Sequence, residues 1–310
     1  SSTQKPQSVI DSITEFYSSH YANTGRASYW PATESTRQVE TVRRKVRQFI
    51  GANSESEVVF TSGTTDSINK LSNSIFNSKL WKGKQIIVSE MEHHANLVPW
   101  QIAAERYGLE LASIPVNDDG ELDIAAYRKL LEKPTAMVAI AAISNVLGTL
   151  NDVNTICGLA KATGALTFVD AAQLAPYSGI DVEHLCCDFL SFSGHKLYGP
   201  TGIGILYGKE ELLEKMPPVQ GGGDMISTVT LEKSTWADLP HKFEAGTPPI
   251  VQAVGLGAAV DYVNAIGMAA IGAHEGDVLT YATQRLASVE GLRLIGTAPG
   301  KASVLSFVMD

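Results

Sequence analysis

The 310 residues suffice for one large domain or two ordinary ones, and 44% apolar side chains can enclose a sizeable core. Acidic residues outnumber basic ones, 33 to 24, for a net charge of −9, which argues against nucleic-acid binding. No apolar run is long enough for a membrane span, the opening Ser-Ser-Thr-Gln-Lys-Pro lacks a signal-peptide core, and three cysteines are too few for a disulfide framework, which suits a reducing cytosol. In chain order, residues 8–20 read as a helix with Val9, Ile10, Ile13 and Phe16 or Tyr17 on one face. After a loop over 21–31, an amphipathic helix covers about 34–50, with Val39, Val42, Val46 and Phe49 inward and Arg43-Arg44-Lys45 as its solvated face; Gly51 stops it. A strand at 57–60 leads through Thr61-Ser-Gly-Thr-Thr-Asp66 into a helix carrying Ile68, Leu71 and Ile75. Strands are then expected at 85–88, 110–114, 136–143, 165–169, 188–193 and 203–207, with helices near 96–107, 122–131, 152–163 and 209–215. Repeated β-α units of this length argue for a mostly parallel sheet under helices, with the Gly-rich 202–208 as an antiparallel addition. Helices at 250–266 and 268–290, the latter with Ile271, Val278, Leu279, Ala282 and Leu286 apolar, precede strands at 292–295 and 303–308.

Chemistry concentrates at Ser193-Gly194-His195-Lys196, between an apolar strand and a Gly/Pro-rich stretch. A lysine held at a sheet edge can form a Schiff base with a carbonyl, and pyridoxal phosphate (PLP) is the usual cofactor that does so; a surface lysine in a loop is the bland alternative. Asp170 ends another apolar strand. There it faces the crevice where α/β sheets bind ligands, and a carboxylate would keep a PLP ring nitrogen protonated; its alternative is a cap on the next turn. The Gly-Thr-Thr turn suits a phosphate or an ordinary helix cap equally. His93 and His94 follow a strand without a third residue at metal-ligand spacing, so no metal is expected.

These features fall within a longer pattern: Phe60-Thr-Ser-Gly-Thr-Thr-Asp66, Ser89-Glu-Met-Glu-His-His-Ala-Asn-Leu-Val-Pro-Trp100, Ser144-Asn-Val-Leu-Gly148, Val169-Asp-Ala-Ala-Gln173, Phe192-Ser-Gly-His-Lys196, Gln220-Gly-Gly-Gly223 and Phe243-Glu-Ala-Gly-Thr-Pro248. In that order, and over nearly the whole chain, they resemble the cysteine desulfurase / selenocysteine lyase family, the SufS/CsdA-like group of class V PLP-dependent enzymes. The resemblance implies an α/β protein of PLP-dependent transferase fold type I. Residues 1–20 would be an N-terminal arm and helix, 21–260 the PLP-binding large domain and 261–310 the start of a smaller α+β domain. It also implies roles: Lys196 carries PLP and, with His93, moves protons. Asp170 pairs with the ring nitrogen, His93 stacks on the ring and Ala172 meets its other face. Gln173 bonds the phenolate oxygen, and Asn145, at a strand end, reaches ring substituents or the substrate carboxylate. Thr64, Thr65, Ser193 and His195 hold the phosphate, and Thr247 reaches the phosphate held by the partner subunit of a homodimer. The expected reaction converts L-cysteine, or L-selenocysteine, to alanine and leaves an enzyme-bound persulfide for a sulfur-acceptor protein in cytoplasmic iron–sulfur cluster assembly.

Some family features are missing. The segments that carry the nucleophilic cysteine and the carboxylate-binding arginine have no match here, so the chain is expected to be a piece of a longer protein or a truncation. Ser1-Ser-Thr3 resembles the remnant of an Ala-Ala-Thr turn. Gly25-Arg-Ala-Ser-Tyr29 keeps only Arg26 of a His-Arg-Gly-x-His loop, and Asp66 stands where the family has Glu. Cys157, Cys186 and Cys187 fall on structural segments and are expected to pack, not to react. The alternatives are another class V enzyme (an aminotransferase, a kynureninase-like hydrolase or an epimerase) and a catalytically dead PLP-fold scaffold.

Overall fold

The computed structural model describes residues 2–25 and 29–310; Arg26 lies outside the described residues. In chain order the elements are α1 (Gln7–Ser19), α2 (Trp30–Ile50), β1 (Val58–Thr61), α3 (Thr64–Phe76), β2 (Gln85–Ser89), α4 (Val98–Tyr107), β3 (Glu110–Ile114), α5 (Ile124–Leu130), β4 (Thr135–Ala141), α6 (Val153–Ala162), β5 (Leu166–Asp170), β6 (Phe189–Ser193), β7 (Gly204–Gly208), α7 (Glu210–Lys215), β8 (Ile226–Val229), β9 (Ser234–Trp236), α8 (Ile250–Ile266), α9 (Met268–Ala287), β10 (Leu292–Ile295) and β11 (Ser306–Met309). Contacts group them into two compact units. One comprises Ser1–Leu80, Ile180–Glu183 and Phe189–Ala265; the other comprises Trp81–Gly179, His184–Asp188 and Ile266–Asp310. Among the described residues no single helix is long and apolar enough to cross a membrane.

In the first unit the strand order is β1-β7-β6. The Gly-rich β7 runs antiparallel to both neighbours, as its sequence suggested. The ends of β1 and β6, Thr61 and Ser193, therefore both face Gly204. A side chain at Gly204 would overlap the Gly63 backbone, so this glycine lets the turn before α3 close over the sheet. Gly204→Ala should cost about 1–3 kcal/mol through overpacking, read as a lower urea midpoint at unchanged slope. Helix α2 buries Val39, Val42, Val46 and Phe49 as expected, and Gly51 ends it in left-handed backbone (φ 68). It starts at Trp30, earlier than the periodicity indicates, because Pro31 suits a first turn.

Arg43 corrects the reading of a solvated basic face, since its side chain is only 1% exposed. Its guanidinium donates to the Val58 carbonyl (2.8 Å) and to both Glu244 oxygens (2.8 and 3.0 Å), and it lies 4.3 Å from the Phe60 ring centroid. Glu40 completes its partners at 3.0 Å. Arg43 sits on the same stripe as Val39 and Val46, and a carboxylate distant in sequence compensates its charge. Arg44 keeps to the surface, at 54% exposed.

In the second unit β3-β2-β4-β5 are all parallel. Their apolar runs are the expected ones, and β2, β4 and most of β5 are buried. Ile87, Ile114, Val138, Ile140, Tyr127 and Ile156 pack together beneath them. Burial pushes the Tyr127 phenol up, and its hydroxyl donates to the Ile156 carbonyl at 2.9 Å. Asp123 and Asp152 cap α5 and α6 through Ala126 N–H (2.9 Å) and Thr155 N–H (3.1 Å). Of the apolar positions expected inward on α9 only Ile271 is buried. The last strand is shorter than expected, since Val304 N–H turns back to the Ala302 carbonyl (2.6 Å) and pairing with β10 starts at Ser306. The hairpin β8–β9, in the first unit, has no counterpart among the expected elements.

Candidate active site

In the first unit, β6 delivers Ser193 to the sheet edge and the chain turns at once through Gly194–Lys196. The Gly194 carbonyl accepts from Leu197 and Gly199 N–H, each at 2.9 Å, which closes the turn on itself. Opposite stands the start of α3. Thr64 N–H donates to Ser193 Oγ (2.9 Å) and the two hydroxyls lie 2.8 Å apart; both residues are buried. Thr65, next in the chain, is exposed. Asp66 spends its carboxylate locally, on Ser62 N–H (2.9 Å) and Lys70 (2.9 Å). Thr64 and Ser193 thus come together, and His195 and Lys196 follow Ser193 in the turn. Thr247 is exposed on another loop, in a groove of about 290 Å³ shared with Thr61, Ser62 and Gln220.

The segment before α1 is an addition that sequence reasoning touched only through the Ser1-Ser-Thr3 likeness. The His195 carbonyl accepts from Thr3 N–H (3.2 Å), Thr3 Oγ1 (3.1 Å) and Lys5 Nζ (2.9 Å), and Tyr198 N–H donates to Thr3 Oγ1 (2.9 Å). The turn bearing Lys196 is therefore strapped from outside the sheet. Burial, with the nearby charges of Lys196 and Lys5, holds the His195 imidazole below its ordinary pKa.

In the second unit, parallel strands bring their C-terminal ends to one edge, the usual ligand-binding edge of such sheets. Ala141 and Asp170 are in register there, ending β4 and β5. Asp170 is 6% exposed, and its Oδ1 accepts from Ala172 N–H at 2.9 Å. The cap weighed as its alternative is thus present on one oxygen. Ala172 is buried and Gln173 half-buried. His93 is exposed in the turn after β2. Asn145 is not at a strand end: β4 stops at Ala141, and Asn145 lies within a turn closed by Gly148 N–H on the Ser144 carbonyl (2.9 Å).

Sequence reasoning missed Glu92. Its carboxyl accepts from Ser89 Oγ (2.6 Å), Ala141 N–H (2.9 Å) and Asn96 Nδ2 (2.6 Å). Burial above all pushes it up to about 7, and the charge of Asp170 adds to the effect. Its only sequence signal was its place inside the Ser89–Trp100 motif. Cys157 and Cys187 are buried and Cys186 is half-buried. Among the described residues no three His, Cys, Asp or Glu side chains gather as metal ligands would.

Residues 1–310 match the family described as Aminotransferase class-V. The chain belongs to the class V aminotransferase family. Its curated relatives include a probable cysteine desulfurase of Streptomyces coelicolor, 45% identical over 313 residues (99% of this chain, 75% of the relative). A cysteine desulfurase of Dickeya dadantii is 49% identical over 296 residues (95% and 72%). Among solved structures, an apo cysteine desulfurase from Thermococcus onnurineus superposes with a TM-score of 0.94 at 35% identity, covering 99% of this chain and 77% of that one. The cysteine desulfurase CsdA from Escherichia coli gives 0.91 at 36%, covering 99% and 77%. Class V aminotransferases use PLP, and the residues of each unit fit that group. A buried hydroxyl pair at the start of a 13-residue helix offers donors to a phosphate. A buried carboxyl at a strand end is what a protonated ring nitrogen requires.

Proposed function

We propose that the chain is a PLP-dependent cysteine desulfurase that converts L-cysteine to L-alanine and leaves the sulfur as a protein-bound persulfide. The likeness to cysteine desulfurases over 95–99% of the chain carries this reading. Bound PLP supplies an electron sink for the amino acid's reacting carbons. The protein's own groups do the rest. Lys196 Nζ would hold PLP through its carbonyl carbon and would carry protons to and from the substrate. The Asp170 carboxylate keeps the ring nitrogen protonated. Thr64, Thr65, Ser193 and His195 bind the phosphate, joined across a homodimer by Thr247. His93 and Ala172 would enclose the ring faces, Gln173 would steady the phenolate oxygen and Asn145 would reach ring substituents or the substrate carboxylate. A cysteine thiolate takes the sulfur and passes it to an acceptor protein in cytosolic iron–sulfur assembly. L-selenocysteine fits the same chemistry.

The test is to supply the full-length protein with PLP and L-cysteine, then measure alanine, thiol-releasable sulfide and 2-oxo acid. Alanine and sulfide in equal amounts are expected. Formation of 2-oxo acid without sulfide would show an aminotransferase instead.

A further inference from the structure

We propose that Glu92 is a positioning residue that locks the His93 turn and thereby holds the His93 ring as its Nε2–H tautomer; this rests on the reading above for its catalytic consequence. After β2 the chain reaches His93 in extended backbone (φ −65, ψ 147), which caps a short helical turn over His94–Asn96. His93 Nδ1 accepts from Ala95 N–H at 3.0 Å. A ring nitrogen that accepts carries no proton, so the hydrogen of the neutral imidazole sits on Nε2. The turn needs something to hold it, because His93 itself is exposed.

Glu92 supplies the anchor. Its Oε1 ties the turn to the ends of β2 and β4, through Ser89 Oγ (2.6 Å) and Ala141 N–H (2.9 Å). Its Oε2 takes Asn96 Nδ2 (2.6 Å), and Asn96 Oδ1 takes the indole N–H of wholly buried Trp100 (2.9 Å). The indole only donates, so the Asn96 amide orientation is fixed and its NH2 must face Glu92. Two of the three donors on Glu92 therefore have no alternative role. Ser89 is the one partner that can also accept, and the neutral acid can give it a hydrogen. Burial, which pushes this carboxyl up to about 7, fits such an arrangement.

The consequence concerns the form of His93 that meets cofactor and substrate. Neutral His93 presents a hydrogen-bond donor at Nε2. To take up a proton it must place it on Nδ1 and give up the bond to Ala95. Base chemistry then falls to Lys196, while His93 directs a donor at the reacting group. A glutamine at position 92 cannot substitute, because its NH2 must face either Ala141 N–H or the Asn96 NH2.

The experiment uses 15N-histidine NMR on the cofactor-free protein, with His93 signals assigned by their loss in His93→Gln. The wild type should show a protonated Nε2 and an unprotonated Nδ1. Glu92→Gln should show mixed tautomers. Its kcat for alanine formation should fall by up to about 10²-fold at nearly unchanged KM, as expected for a misplaced reacting group. Should Glu92→Gln fail to fold, Asn96→Ser loosens the same turn while leaving the Ser89 and Ala141 bonds intact, and is expected to mix the tautomers too. A wild-type ring protonated on Nδ1, or a folded variant that keeps the wild-type tautomer and kcat, would overturn the proposal. The NMR needs no cofactor, so failure of PLP binding would count against the proposed reaction and not against the tautomer.

Discussion

Lys196→Ala is expected to lower alanine formation from L-cysteine by at least the 10²–10⁴-fold that a positioned proton carrier contributes, and to remove the visible absorbance of lysine-bound PLP. The proposed phosphate donors do not depend on Lys196: Thr64 and Ser193 hold each other at 2.8 Å at the start of α3. PLP should therefore still bind, noncovalently. Absorption spectra and alanine assays on the variant read both effects. Turnover near the wild-type level would remove Lys196 from the mechanism.

Glu244→Ala should be among the most destabilising single changes, at up to about 3–5 kcal/mol, because it takes the buried carboxylate from a buried cation and leaves it only the more exposed Glu40. Arg43 is 1% exposed and bonded to both Glu244 oxygens, and Glu244 also takes Phe60 N–H at 2.6 Å. Replacing both partners by apolar residues should cost far less than replacing one. Denaturant unfolding of the two singles and the double reads this as a coupling energy. The pair also carries a pH dependence. Burial opposes ionisation of Glu244, but Arg43, then His241 and Phe60 N–H, outweigh it and hold the carboxyl at about 2, against the usual 4.5. The unfolded chain thus binds more protons between these values, so this stabilisation is present above about pH 4.5 and lost as pH falls towards 2. Wild type should lose stability steeply across that window, and Glu244→Ala should lose that component. The same carboxylate begins the loop to Thr247, so acid should loosen both together.

Most elements were legible because their causes are local. The valines of α2 recur at helical spacing, β4 is one unbroken apolar run, and Gly51 stops α2 where a left-handed residue is needed. Lys196 and Asp170 stood out for the same reason: Asp170 ends β5 and Lys196 lies in the turn that leaves β6, and a strand end fixes where the neighbouring residues lie. Interactions distant in sequence were hidden. Nothing near Arg43 announces Glu244, so a basic triplet reads as solvated. Glu92 takes its meaning from Ala141, on the strand paired to the one it follows. The clamp of Thr3 and Lys5 on the His195 carbonyl joins opposite parts of the sequence. Asn145 was misplaced because the apolar run beyond Ala141 doubles back: Ile143 bridges Leu150 antiparallel, and Ser144 opens the turn that holds Asn145.

The proposed reaction turns on which amine carries PLP. Borohydride treatment of the PLP-loaded protein, followed by peptide mapping, should place a single phosphopyridoxyl label on Lys196. A label on any other lysine, or none at full PLP occupancy, would contradict it.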